Sequence, residues 1–135
     1  MQAAEPILFP DAEAVLTSWL RGELVTHGTP LPVTTQVPEP RPDEFVRLVR
    51  TGGPRASLVT DAASITLEAW AATQDRASDV ILLCRALLGA APGRVAEVPV
   101  YLVTEFAGPA YSPDPSSGVP RYVQTFEVHL RGTAL

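Results

Sequence analysis

Between Ser64 and Trp70, apolar and polar side chains alternate without a break. Ile65, Leu67 and Ala69 fall on one side; Ser64, Thr66 and Glu68 fall on the other. Only extended chain sorts residues this way, because successive side chains of a strand point to opposite faces. The pattern returns from Arg121 to Arg131, where Tyr122, Phe126, Val128 and Leu130 oppose Arg121, Thr125, Glu127, His129 and Arg131. Strands of this kind require an apolar layer against one face of a sheet and leave a polar row on the other.

Two helical segments can supply that layer. Pro10-Asp11 opens the first, with Asp11 as N-cap, Glu13 in the first turn, and Val15, Leu16, Trp19 and Leu20 at helical spacing. Gly22 is expected near its end, unless Leu24 extends the face. The second starts at Thr73 or Asp75. It carries Ala77, Val80, Ile81, Cys84, Leu87 and Leu88 as a stripe, widened by Leu82 and Leu83, and stops at Gly89 to Gly93. So apolar a helix is expected to lie buried against the sheet.

The remaining segments are shorter. Val33 to Val37, set among prolines, predicts a short edge strand. Phe45 to Arg50 predicts a strand, Thr51-Gly52-Gly53-Pro54 a turn, and Ala56 to Thr60 a second strand completing a hairpin that Asp61 ends. Val98 to Phe106 has apolar residues of both parities, which predicts a central strand covered on both faces. Gly108 to Pro120 is rich in turn residues and predicts a loop too long for a plain connector. The sum is an α+β fold: a mostly antiparallel β-sheet with two main helices packed on one face, in a single domain over residues 1–135. The passage from Ile65 through the second helix to Val98 leaves room for one parallel pair.

Composition narrows the chemistry. Fifteen acids face ten basic residues, all arginine, for a formal net charge of −5, the opposite of what a basic nucleic-acid-binding module carries. The charge is uneven: Arg47, Arg50 and Arg55 lie in a stretch from 45 to 60 that contains no acid. One cysteine excludes an internal disulfide and a multi-cysteine zinc site. No apolar run reaches the roughly 20 residues that span a bilayer, and the N-terminus has no basic and apolar leader pattern. Cys84 lies on the apolar stripe of a helix and reads as a core residue. His129, with Glu127 and Arg131 two positions away on its strand, is the one arrangement that could orient an acid–base group, but it reads first as an ordinary cross-strand polar ladder. There is neither a nucleophile elbow nor a phosphate-binding loop. No catalytic residue, metal or cofactor is expected.

Several segments together resemble a known family. They are the helix from Phe9-Pro10-Asp11 to Leu20, the strand and turn Val46-Arg47-Leu48-Val49-Arg50-Thr51-Gly52-Gly53, the strand Ile65 to Trp70, and the helix Arg76 to Leu88. The most specific piece is the proline-bounded run Gly108-Pro109, Pro113-Asp114 and Ser117-Gly118-Val119-Pro120, followed by Arg121-Tyr122-Val123-Gln124-Thr125-Phe126-Glu127-Val128. Over nearly its full length the chain resembles the tail terminator, or tail completion, proteins of long-tailed bacteriophages, especially those of actinobacterial phages. The resemblance implies a structural virion protein made in the host cytoplasm, not an enzyme. It would form a ring, typically hexameric, that caps the tail tube, ends its elongation and offers the surface for joining the head. Its partners would be further copies of itself, the tail tube protein and a head-completion or connector protein, with DNA passing through the ring without specific binding and no membrane involved. On that reading Arg47, Arg50, Arg55, Tyr111, Asp114, Arg121 and Tyr122 are candidates for subunit or tail contacts. Glu68 and Glu127 are candidates for an acidic lumen that repels phosphate. The alternatives are another small neck, connector or minor tail protein, or a small-molecule-binding α+β domain with a pocket between the sheet and the second helix and His129 as its polar group.

Overall fold

The computed structural model describes residues 4–135. Its elements are β1 (Ile7–Leu8), α1 (Ala12–Thr26), β2 (Val33–Thr34), β3 (Phe45–Arg50), β4 (Thr60–Trp70), α2 (Gln74–Gly89), β5 (Val100–Tyr111), β6 (Arg121–Arg131) and β7 (Thr133–Ala134). Five strands form one sheet in the order β2-β3-β4-β6-β5, and β1 pairs with β7 in a small ribbon. The fold is α+β, with every neighbouring pair of the main sheet antiparallel except β2 and β3.

The central position falls to β4, which pairs with β3 from Phe45↔Trp70 to Arg50↔Ile65 and with β6 along its whole length, from Thr60↔Arg131 to Trp70↔Arg121. The alternation fixes which face is buried. Val46 and Leu48 of β3, Ala63, Ile65, Leu67 and Ala69 of β4, and Phe126, Val128 and Leu130 of β6 all join the core beneath the helices. From above, α1 contributes Leu16, Leu20 and Leu24, and α2 contributes Val80, Ile81, Cys84 and Leu88. Each large side chain moved from water into such a layer stabilises the fold by about 1.5–3 kcal/mol, so the layer holds the sheet flat against both helices.

The capping residues act as expected. Asp11 Oδ1 accepts the Ala14 amide at 3.0 Å, and Thr73 Oγ1 accepts the Arg76 amide at 3.2 Å. The first helix does not stop at Gly22. It runs on to Thr26 because Leu24 is wholly buried and holds the last turn to the core.

Five expectations are corrected. The hairpin strand at Ala56 to Thr60 does not form; Ala56 to Val59 is an irregular turn in which Ser57 Oγ accepts the amides of Val59 and Thr60. Asp61 does not end a strand but sits inside β4, its strand-breaking tendency offset by a two-pronged ion pair with Arg50 at 2.6 and 2.8 Å. The segment with mixed parity is not central. It becomes β5, the outermost strand, because β6 carries the regular alternation and takes the inner place beside β4. The mixed parity reflects three register shifts along β5, at Val100/Leu102, Glu105/Ala107 and Ala107/Ala110. Since β6 lies between β4 and β5, those two strands are not neighbours, and the parallel pair is β2 with β3 instead. Finally, β5 reaches Tyr111, so the loop shrinks to 112–120, where Asp114 Oδ2 accepts both the amide and the hydroxyl of Ser117.

Gly53 makes the sharpest backbone demand. Its φ is +90°, and a Cβ there would lie 2.2 Å from the Ala62 carbonyl oxygen; Gly52, at φ +110°, has open space around it. Gly52→Ala is expected to cost the backbone strain alone, about 1–3 kcal/mol. Gly53→Ala is expected to cost more, because the turn must also lift off β4. Urea midpoints of the two variants check the order.

Candidate functional site

With both helices on one face, the opposite face of the sheet is built from the polar rows. Arg47 and Val49 of β3, Ser64, Thr66 and Glu68 of β4, and Arg121, Thr125, Glu127 and His129 of β6 occupy it. Its middle is a row of hydroxyls: Thr51 Oγ1 lies 3.1 Å from Ser64 Oγ and 3.3 Å from Thr66 Oγ1, which lies 3.1 Å from Thr125 Oγ1.

One end of this face is closed by the chain itself. Trp70 stacks on Phe45 at 5.2 Å between ring centroids, and the Arg121 guanidinium lies 5.3 Å over the Trp70 ring. Glu68 sits at the hub. It accepts from Arg47 Nη1 and from Trp70 Nε1, each at 3.1 Å, and lies 3.9 Å from Arg121 Nη1. Arg121 also donates to the Ser112 carbonyl at 2.8 Å, which ties the hairpin loop to the sheet.

The other end stays open. A groove of about 440 Å³ runs between the turn after β3 and the outer strand, with Pro54, Arg55 and Ala56 on one wall, Phe106 on the other, and Ser64 and Glu127 along its floor. Beside it β5 exposes Tyr101, Leu102 and Phe106, the last at 81%. Arg131 donates to the Tyr101 hydroxyl at 3.2 Å, and the Arg55 guanidinium lies 5.1 Å over the Phe9 ring. His129 Nε2 is 2.7 Å from Glu127 Oε1.

The residues singled out from the sequence therefore divide. Arg50 is not available for a contact with another molecule: its Nε and Nη2 donate to the Gly52 and Gly53 carbonyls, both Nη atoms hold Asp61, and its amide donates to Glu13. The hydrogen bond to Asp61 raises the Arg50 pKa above its ordinary value. Arg47, Arg121 and Asp114 are likewise held in internal contacts, and Tyr122 packs on the core beside Tyr111. Glu68 is too covered and too well paired to offer a free negative charge to a lumen. Arg55, Tyr111 and Glu127 keep accessible side chains. Tyr101, Leu102 and Phe106 at the open end are hidden in the sequence by a strand that reads as central, and Arg131 stands out there only as a neighbour of His129.

A pocket between sheet and α2 does not open. Val80, Ile81, Cys84 and Leu88 fill that space, and burial pushes the Cys84 thiol up to about 12. His129 faces the opposite side, toward Glu127. At the outer edge, Glu105 of β5 is bound by Arg85 of α2, with Nη2 donating at 2.8 Å, and by the buried Gln124 Nε2 at 3.1 Å. The Arg85 contact, ahead of Gln124, lowers the Glu105 pKa below its ordinary 4.5. Among the described residues no cluster of three or more His, Cys, Asp or Glu could hold a metal ion, and no helix is long and apolar enough to cross a membrane.

No family model matches the chain, and none of the curated proteins compared with it does.

Asp61→Ala is expected to cost about 3 kcal/mol, the lower end for one broken half of a buried ion pair, because the Arg50 side chain keeps 29% exposure. Chemical denaturation of both proteins checks it. The Glu105 shift sets a pH dependence. A lowered folded-state pKa gives stability that is full above the unfolded value and is lost as pH falls through the folded one. Wild type should therefore lose stability more steeply than Glu105→Gln as pH drops below about 4.5, read from thermal midpoints across an acid series.

Proposed function

We propose that the chain is a ring-forming structural subunit of a tailed-phage virion, the terminator that caps the tail tube and presents the joining surface to the head. The observation that carries this reading is the half-open sheet. A solitary subunit leaves Phe106 81% exposed, with Tyr101 and Leu102 near half exposure, beside a groove on a face that the chain's two helices do not cover. Exposed apolar residues gathered in one place mark association surfaces. The resemblance of the hairpin region, Gly108 to Val128, to tail terminators supplies the biological setting.

A second reading rests on the same groove, whose volume lies within the range of small-molecule sites, roughly 300–1,000 Å³. In that case the protein would work as a monomer. Light scattering after size exclusion, with and without the tail tube protein of the same virus, separates the two. The ring reading expects a closed assembly of about six copies, either free or on the tube. A strict monomer that does not bind the tube overturns it.

A further inference from the structure

We propose that the open end of the sheet face is the seat of a second copy of this chain, and that what sits there is the outer surface of α2. This rests on the ring reading and names its contact.

Charge is distributed in the way such a contact needs. The uncovered face and its groove carry four arginines, Arg47, Arg55, Arg121 and Arg131, against two glutamates, Glu68 and Glu127. The remaining six arginines meet thirteen acids, so this face is positive on a chain whose formal charge is −5. At the open end, Arg55 and Arg131 face no carboxylate within ion-pair distance among the described residues. Their side-chain partners are an aromatic ring and a phenol hydroxyl.

The complement lies on α2. Asp75 and Asp79 are exposed, four residues apart and therefore on one side of the helix, and neither is in an ion pair among the described residues. One turn further on comes Leu82, 49% exposed on a helix whose other large apolar residues are half-buried or buried. Two carboxylates followed by a leucine match Arg55 in the lining of the groove and Arg131 beside Tyr101, with the exposed side chains of Tyr101, Leu102 and Phe106 alongside. The two surfaces lie on opposite layers of the subunit, so the contact is head-to-tail. Repeated contacts of that kind close into rings when the rotation allows. An edge-to-edge route is closed on the other side of the sheet: β2 has only two residues, and Arg21 Nη2 caps the Val33 carbonyl at 2.7 Å. The contact also moves Glu127 from a lumen to the subunit interface.

Charge reversal tests the assignment on the full chain. Arg55→Glu with Arg131→Glu, and separately Asp75→Arg with Asp79→Arg, should each weaken self-association by roughly tenfold, and combining all four should restore it. Phe106→Ser should weaken it by roughly thirtyfold, as loss of a central aromatic anchor does. All these positions are surface positions, and circular dichroism melts confirm that the variants fold. A wild-type ring that ignores every reversal overturns the contact while leaving the ring reading intact. Reversals that spare the ring but abolish capture by the tail tube give the face to the tube and also overturn it. A wild-type chain that is monomeric with and without the tube removes both.

Discussion

A five-stranded sheet has two faces, and this chain has the material to bury one. The apolar rows of β3, β4 and β6 all point to the side where α1 and α2 lie, and α2 is apolar enough to seal the space down to Cys84 and Leu88. Everything else follows from that asymmetry. The polar rows are left on the other side, where they satisfy one another through hydroxyl contacts and ion pairs rather than through burial. Such pairs contribute little individually where they meet water, but they hold the face in one geometry.

Arg50 shows how the sequence's local signals are overruled. Asp61 alone reads as a strand breaker, and the glycines before it read as a tight hairpin turn. A guanidinium that binds the carboxylate and two turn carbonyls at once makes one continuous strand of what local propensity divides. No pattern of spacing along the chain reports an interaction eleven residues apart that ties a turn to the strand after it.

Legibility tracks the regularity of alternation and helical spacing. Both helices, their caps, the strands at Phe45 to Arg50 and Arg121 to Arg131, and the α+β class could be read from the residues, because each is fixed by periodic burial. The rank of strands within the sheet could not, since Val98 to Phe106 is apolar enough to look central and only competition with β6 sends it to the edge. The candidate site suffered from that error. Arg55, Tyr111 and Glu127 were visible as charged or aromatic residues in unusual settings, whereas Phe106 was assigned to a core it does not enter. Arg47, Arg50 and Glu68 looked free because their partners lie on other strands. Spacing also concealed the charge contrast between the two layers, which depends on which residues share a face and not on which share a segment.

The central claim is that the uncovered face is completed by another copy of the chain. Hydrogen–deuterium exchange, compared between dilute and assembled protein, reads this most directly. The account predicts slower exchange on assembly at the 53–56 turn, along β5 from Val100 to Phe106, and along α2 from Asp75 to Leu82, with α1 unchanged. Protection confined to the 112–120 loop, or no protection on the groove side, would contradict it.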